Sequence, residues 1–207
     1  MTEHSSRSPL VITKKDITGL ILAGGKGTRM GGVDKGLVSL KENRLIDRAV
    51  RHLNPQVSQL FISCNRNIET YQSLGYETVQ DICYKDCGPL SGIYNALLQC
   101  QTPYLAVVPV DSVSIPTDLV IRLSSAINSS ARGCSYAHDG ARTQPLFALI
   151  CTQLREDLDG FLSRGERRTH AWMKQHDAIS VDFSDEQSAF TNINDLETLN
   201  RWNTIKK

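Results

Sequence analysis

Apolar, β-branched runs alternate along this chain with segments whose apolar residues recur at helical spacing. The run at 17–23 (ITGLILA) precedes a helical pattern at 45–53, and a second run follows at 59–64. The most apolar run, at 104–110, comes after a helical segment at 88–100. Strands that are apolar on both faces lie in sheets that are covered on both sides. The alternation therefore predicts an α/β fold with a doubly wound, mostly parallel sheet, in which helices on both faces make three layers.

The second half of the chain adds an antiparallel element to this pattern. Residues 134–150 flank an Asp-Gly turn with two apolar runs, which predicts a hairpin added to the parallel unit. No repeat or linker interrupts the chain, so residues 16–207 are predicted to form a single domain after a polar, mobile tail at 1–15. The remaining predicted elements are a strand at 76–81, a helix opening at Pro116 with Asp118 in its first turn, helices at 152–162 and 166–176, a strand at 178–183 and a closing helix at 195–202.

Composition argues against several classes of function. A formal net charge of +1 over 207 residues disfavours nucleic-acid binding, which usually needs a basic field. No run approaches the roughly 18 consecutive apolar residues of a membrane span, and the start lacks the apolar stretch of a secretory signal. We therefore expect a cytoplasmic protein that binds neither nucleic acid nor membrane. Cys83 and Cys87 form the one close pair among six cysteines, and reduced thiols are favoured there over a redox or metal pair.

A glycine-rich loop follows the first strand. Residues 22–37 (LAGGKGTRMGGVDKGL) hold six of the 14 glycines together with Lys26, Arg29 and Lys35. The GxGxxG pattern fails because Met30 takes the third glycine position, and the P-loop pattern fails because no Gly-Lys-Ser/Thr follows at the required spacing. Small residues nevertheless let backbone N–H groups approach an anion, while Arg29 and Lys35 supply full charges. We interpret the segment as a phosphate-binding loop rather than as a flexible basic connection.

A carboxylate follows the most apolar strand at the same edge of the predicted sheet. Ligands of such sheets bind outside the carboxyl ends of the strands, where the glycine loop and Asp111 both fall. Mg²⁺ binds proteins through one or two carboxylates together with substrate phosphates and water. We therefore predict that Asp111 is a Mg²⁺ ligand. The alternative, an N-cap of the next helix, is less favoured because that helix is predicted to begin only at Pro116.

These residues carry a resemblance to a known family. The stretch 20–37 (LILAGGKGTRMGGVDKGL) is similar to the signature of the nucleotidyltransferase superfamily, and within it the chain most resembles the molybdenum cofactor guanylyltransferases (MobA). The resemblance implies a Rossmann-like nucleotidyltransferase fold. The other stretches that match are NR at 65–66, QD at 80–81, GPLSGI at 88–93, PVD at 109–111, QPLFAL at 144–149, GERR at 165–168, VDFSD at 181–185 and NIN at 192–194.

The resemblance also implies a reaction. In that family the terminal phosphate of molybdopterin attacks the α-phosphorus of GTP, which joins GMP to the pterin and releases pyrophosphate. We accordingly expect Mg²⁺ as cofactor, a GTP-binding N-terminal half and a molybdopterin-binding C-terminal half. Molybdenum-insertion proteins and molybdoenzyme apoproteins are the implied protein partners. Because both substrates are anions, catalysis of this kind depends on positioning and on charge neutralisation.

The matched motifs imply roles for individual residues. Arg29, Lys35 and Asp111 would be catalytic, with the two cations on the triphosphate and its pyrophosphate leaving group and Asp111 on the metal. By spacing alone, the remaining polar matches are equally turn or cap residues, and the arginine run is a solvated helix start. The resemblance assigns GTP contacts to Leu22, Ala23, Gly24, Gly25, Asn65 and Asp81, and molybdopterin contacts to Arg167, Arg168, Asn192 and Asn194.

The chain departs from the family pattern just after Asp111. Ser112 and Val113 stand where the family commonly has Thr or Met followed by Pro, and loss of that proline is expected to loosen the loop. Three other functions stay open. They are a sister enzyme that uses CTP, a sugar-phosphate or isoprenoid-alcohol nucleotidyltransferase, and a nucleotide-binding regulatory module without catalysis. Retention of Arg29, Lys35 and Asp111 argues against the regulatory module, because converging charged groups indicate a ligand.

Overall fold

The computed structural model describes residues 11–25, 32–130 and 132–204. Its strands are β1 (Ile17–Leu22), β2 (Ser39–Leu40), β3 (Asn43–Arg44), β4 (Gln59–Ser63), β5 (Glu77–Val79), β6 (Tyr104–Pro109), β7 (Cys134–His138), β8 (Thr143–Cys151) and β9 (Ile179–Asp182). Its α-helices are α1 (Leu45–Leu53), α2 (Ile68–Gln72), α3 (Pro89–Gln99), α4 (Leu119–Ser130), α5 (Arg155–Ser163), α6 (Thr169–Gln175) and α7 (Leu196–Thr204).

Within the described ranges, seven strands form one sheet in the order β5-β4-β1-β6-β8-β7-β9. Four of its six strand pairings are parallel, which confirms the predicted mostly parallel α/β sheet. The predicted hairpin is β7 and β8, and it lies inside the sheet because β8 pairs antiparallel with β6 while β9 adds outside β7. The strand order changes direction around β1, whose two neighbours are β4 and β6.

Helices cover both faces of this sheet, as the apolar strands require. Neighbouring residues of β1 point to opposite sides, so Leu20 packs with α3, α5 and α6 while Ile21 packs with α1 and α4. Both side chains are fully buried. The α1 pattern is confirmed as well, since Leu45, Ile46 and Leu53 on its apolar face are fully buried. Two apolar cores separated by one sheet make the three predicted layers.

Some helix starts lie later than the sequence predicts. The helix predicted to open at Pro116 begins at Leu119, and Pro116 lies in the preceding turn with its carbonyl accepting from the Leu119 N–H (3.2 Å). Asp118 then acts as the residue before the helix, because its carbonyl accepts from the Arg122 N–H (3.0 Å). The helices predicted from 152 and 166 begin three residues later in each case, at Arg155 and Thr169. In the first of them a 3₁₀ turn fills the difference.

Several short elements have no counterpart among the sequence predictions. They are the two-residue strands β2 and β3, the five-residue helix α2 and a 3₁₀ helix at Lys35–Leu37. The helical elements span less than two turns and the strands only a single two-residue repeat, so periodicity does not reveal them. Two of them matter for the site, because Lys35–Leu37 carries a predicted catalytic residue and α2 packs beside it.

The predicted tail at 1–15 lies mostly outside the described residues. Its described part, 11–15, contacts the domain: the Ile12 N–H donates to Asn128 Oδ1 (3.2 Å), and Thr13 and Asp16 form a reciprocal capping box. All six cysteines are free thiols, Cys83 and Cys87 included. None of the helices in the described ranges is long and apolar enough to cross a membrane.

Candidate active site

A cavity of about 1040 Å³ opens at the carboxyl ends of β1, β4 and β6. Its volume is that of a typical small-molecule site, and its place beside β1 is where doubly wound sheets bind ligands. It brings together most of the residues that the sequence predicts. Those lining it are Leu22, Ala23, Gly24, Gly25, Lys35, Asn65, Asp81, Asp111, Asn192 and Asn194. Arg29 lies outside the described residues.

Lys35 joins the two halves of the chain at this cavity. Its ammonium Nζ donates to Asp111 Oδ2 (2.9 Å) and to Asn194 Oδ1 (2.6 Å). The Lys35 and Asp111 side chains are 19% and 17% exposed, so the pair is partly shielded from water while still open to the cavity. A carboxylate and an amide oxygen thus hold one cation at the strand ends, where an anionic ligand could meet it.

Asp111 is fixed by its backbone as well as by Lys35. Its carbonyl accepts from the Ile193 N–H (2.7 Å), and the Val113 N–H donates to the Thr191 carbonyl (2.8 Å). A proline at 113 has no N–H and could not make the second bond. The loop that the sequence predicts to be loosened is therefore tied to the 191–193 segment. Asp111 also lies well before the start of α4, so the alternative of a helix cap is wrong.

The neighbouring segment orients Asn192 and Asn194. Ser112 and Asn192 form an antiparallel bridge, and the Ser112 hydroxyl donates to Asn192 Oδ1 (3.3 Å). Both asparagines line the cavity, as expected for side chains two residues apart in extended chain. The Asn-Ile-Asn motif thus meets the Asp111 loop side by side. Their convergence on one cavity favours a ligand role over simple turn chemistry.

Asn65 and Asp81 hold each other at the ends of the adjacent strands β4 and β5. Asn65 Nδ2 donates to Asp81 Oδ2 (2.8 Å), and Asn65 Oδ1 accepts from the Asp81 backbone N–H (2.9 Å). Burial raises the pKa of the Asp81 carboxyl above its ordinary value. Its second oxygen, Oδ1, is buried without a hydrogen-bond partner among the described residues. The Asp81 side chain lines the cavity, with Oδ2 engaged by Asn65 and Oδ1 buried near Ser91.

Arg66 is a site residue that sequence reasoning missed. Its guanidinium donates to the Gly32 carbonyl (2.8 Å) through one terminal nitrogen and to the Gly25 carbonyl (3.0 Å) through the other. One planar side chain therefore holds the two described ends of the glycine-rich loop. The sequence signal is the NR pair at 65–66, in which the family resemblance implies a role for Asn65 alone. Other lining residues without a predicted role include Lys85, Gly88 and Leu146.

Two glycines let the backbone come close at the cavity wall. A Cβ on Gly92 would lie 2.6 Å from Ser63 Oγ and 3.0 Å from Leu22 Cδ2, so α3 packs directly against the ends of β1 and β4. Gly88, at φ +72°, precedes α3 in a conformation that disfavours other residues. The N-terminus of the 11-residue helix α3 consequently faces the cavity, where its dipole favours an anion.

The arginine run lies elsewhere. The Arg167 guanidinium donates to the carbonyls of Leu162 (2.8 Å) and Glu166 (2.6 Å), which places it at the C-terminal end of α5. Arg168 is exposed and precedes α6. Neither arginine lines the cavity. Of the four predicted pterin contacts, only the two asparagines are therefore brought to the site.

The donor chemistry at Asp111 fits Mg²⁺ held together with a substrate. In the described ranges no group of three or more His, Cys, Asp or Glu side chains converges on one point, so the protein holds no ready-made metal cage. Mg²⁺ commonly uses one or two carboxylates and takes its other ligands from substrate phosphates and water. Asp111 supplies one such hard oxygen donor at the cavity, beside the amide oxygens of Asn192 and Asn194.

Solved structures of other proteins share this architecture. The chain is similar to molybdopterin-guanine dinucleotide biosynthesis protein A from Archaeoglobus fulgidus, with a TM-score of 0.74 and 21% identity over 90% of this chain and 96% of that one. It is also similar to 2-C-methyl-D-erythritol 4-phosphate cytidylyltransferase from Thermus thermophilus, with a TM-score of 0.64 and 13% identity over 89% and 96% of the two chains. At these identities the likeness concerns the fold.

Comparison of sequences identifies the family to which the chain belongs. The MobA-like NTP transferase domain matches residues 19–179. A molybdenum cofactor guanylyltransferase of Mannheimia succiniciproducens is 44% identical over 89% of this chain and 97% of its own length. The enzyme of the same name from Ralstonia nicotianae is 42% identical over 91% and 97% of the two chains. The chain belongs to the MobA-like NTP transferase family, as its motifs predict.

Proposed function

We propose that the protein transfers GMP from GTP to molybdopterin, which forms the guanine dinucleotide cofactor and releases pyrophosphate. The observation that carries the proposal is the contact of Lys35 with Asp111 and Asn194, because it unites the nucleotide-side and acceptor-side motifs in one cavity. The names of relatives above 40% identity over nearly the whole chain support the same activity.

The reaction forms one P–O bond and breaks another. An oxygen of the acceptor's terminal phosphate attacks the α-phosphorus of GTP, and the bond from the α-phosphorus to the bridging oxygen of the β-phosphate breaks. Repulsion between the two anions is the main obstacle, so neutralised and oriented phosphates lower the barrier. Lys35 would turn its ammonium toward the triphosphate and stabilise charge that develops on pyrophosphate. Arg29 would act on the same phosphates.

Asp111 would hold Mg²⁺ in this reaction. When bound, the ion would supply charge that polarises phosphoryl oxygens and would orient the triphosphate. The chain's own contribution is to keep the Asp111 carboxylate at the strand end, through the bonds between 111–113 and 191–193. The α3 N-terminus would add further positive potential at the same wall.

Recognition of guanine falls to the Asn65–Asp81 pair in this proposal. Guanine presents two adjacent donors, a ring N–H and an amino group, which a carboxylate accepts together. The Asp81 carboxylate lines the cavity and would accept from the base in place of its present donor, Asn65 Nδ2. Cytosine offers an amino donor beside acceptors, so the same carboxylate would favour it less. This pairing is the physical reason for proposing GTP rather than CTP.

On the acceptor side, Asn192 and Asn194 are the residues that we propose for molybdopterin. Contacts from Arg167 and Arg168 to molybdopterin stay a prediction of the family resemblance, and neither arginine is among the residues that line the cavity. We further propose that the protein is cytoplasmic. Its protein partners would be molybdenum-insertion proteins, which supply the acceptor substrate, and molybdoenzyme apoproteins, which accept the product.

Pyrophosphate release tests the proposal. Purified protein with molybdopterin and Mg²⁺ is assayed with GTP and with CTP in parallel, and omission of Mg²⁺ tests the metal. We expect turnover with GTP that requires Mg²⁺. Preference for CTP would overturn the base assignment while leaving the reaction type. Nucleotide binding without turnover on either would instead indicate a regulatory module.

A further inference from the structure

The residue before Lys35, Asp34, has a buried carboxylate that does not line the cavity. Asp34 is 8% exposed and accepts hydrogen bonds from the Tyr71 hydroxyl (2.6 Å), from Asn67 Nδ2 (3.0 Å) and from the Gly36 N–H (3.2 Å). A buried carboxylate is unfavourable unless such donors compensate for lost hydration. The three donors therefore determine where Asp34 lies, and with it the backbone that leads into Lys35.

Tyr71 is the fully buried member of this group. It lies on α2 and is 0% exposed, with its ring packed in the core beneath α1. A Cβ on Gly36 would collide with the Tyr71 hydroxyl, so the backbone at Gly36 runs directly against that oxygen. Burial and the nearby Asp34 carboxylate raise the pKa of the phenol, which keeps it a hydrogen-bond donor. Tyr71 thus touches the residues on both sides of Lys35.

We propose that Tyr71 is a positioning residue for Lys35: its hydroxyl fixes Asp34 and the turn at Gly36, which directs the Lys35 ammonium between Asp111 and Asn194. Tyr71 does not line the cavity, so its action on a ligand is indirect. The kinetic part of this inference rests on the proposed guanylyl transfer. The geometric part concerns only the folded chain.

The variant Tyr71→Phe removes one oxygen and leaves the buried ring. We expect kcat for pyrophosphate release to fall by about tenfold or more, with KM for GTP changed less than about twofold, because small displacements of a charge that acts in the transition state lower kcat. A second readout needs no activity. Acylation of Lys35 by acetic anhydride, followed by mass spectrometry, should be several-fold faster in Tyr71→Phe because the amine is no longer held between its two acceptors.

The matched control is Ser135→Ala. Ser135 is also fully buried, and its hydroxyl donates to the Leu123 carbonyl (3.0 Å); neither residue lines the cavity. The Ser135→Ala variant lacks one buried hydroxyl, so we expect it to melt at a lower temperature than the wild type. Lys35 should be acylated in this variant at the wild-type rate. The inference is overturned if Tyr71→Phe lowers the melting temperature but leaves the Lys35 acylation rate and kcat equal to those of Ser135→Ala.

A second variant keeps the inference testable if Tyr71→Phe does not fold. Asn67 is exposed and adopts φ +49°, a conformation that glycine takes without strain, so Asn67→Gly removes another donor to Asp34 at small structural cost. Faster Lys35 acylation in this variant supports the inference, and an unchanged rate contradicts it. If the wild type shows no turnover, the proposed function fails while the acylation experiment still decides the role of Tyr71.

Discussion

The sequence predicts a phosphate contact for both Lys35 and Arg167, but the two cations have different surroundings in the structure. Lys35 lies at the carboxyl end of the sheet and contacts Asp111 and Asn194, which come from distant parts of the chain. Arg167 instead donates to the backbone carbonyls of Leu162 and Glu166 close by in sequence. A cation whose donors are used on the carbonyls at a helix end stabilises that end. A motif's charge alone therefore does not tell which role a cation takes.

The largest expected effect is that of replacing Asp111, the carboxylate that Lys35 contacts. Asp111→Asn should lower kcat/KM for GTP by about 10³-fold, because the amide cannot compensate the metal's charge and a metal supplies several kcal/mol to such a transition state. Pyrophosphate release measured over a range of Mg²⁺ concentrations checks it. Asp118→Asn, at a half-exposed aspartate paired with Arg122, should stay within about twofold of wild type. Equal losses in the two variants would remove Asp111 from the mechanism.

The comparison itself is tested by Lys35→Met beside Arg167→Met. Removing one positioned charge from a transition state costs roughly 10²-fold, which we expect for Lys35. Arg167→Met should change kcat/KM by less than about twofold, as for substitutions away from a site. Both are measured at saturating molybdopterin and again at low molybdopterin. A large rise in KM for molybdopterin in Arg167→Met would break the comparison and restore the acceptor contact that the resemblance implies.

A smaller effect is expected at Arg66. Arg66→Lys keeps the charge but cannot bridge the Gly25 and Gly32 carbonyls with a planar fork. We expect KM for GTP to rise about tenfold, the size of one lost charge-assisted hydrogen bond, with kcat less affected. Arg51→Lys is the control, since Arg51 bonds Asn43 on an exposed surface outside the cavity. An unchanged KM in Arg66→Lys would show that the charge alone matters there.

The smallest effect is a pH dependence at Asp81. Burial raises its pKa in the folded protein, so between the ordinary carboxyl pKa and the raised one the folded state binds more protons than the unfolded state. This group therefore favours folding most at low pH, and its contribution falls as pH rises through that window. Melting temperatures across the acid range should show a slope that Asp81→Asn lacks. Asp185→Asn is a useful contrast, because hydrogen bonding to Arg122 lowers the pKa of Asp185 and reverses the sign.

Short elements explain much of what sequence reasoning missed. Helix α2 contains five residues and β2 two, so neither shows a periodic pattern, yet α2 carries Tyr71 to Asp34. The boundary of α4 was missed for another reason. Pro116 is compatible with a first helical turn and equally with the turn before it, and only the hydrogen bonds of Leu119 and Arg122 distinguish the two.

The sequence by itself determined the α/β class, the strands of the sheet, and the position of the glycine loop and of Asp111 after strand ends. It could do so because strand burial and loop chemistry depend on residues that are neighbours in the chain. Only the tertiary structure decided that Lys35 meets Asn194, 159 positions away, and that Arg66 spans Gly25 and Gly32. It also turned Arg167 away from the cavity. Periodicity and motifs report on local conformation, whereas the partner of a long, flexible side chain depends on which strand ends the sheet order brings together.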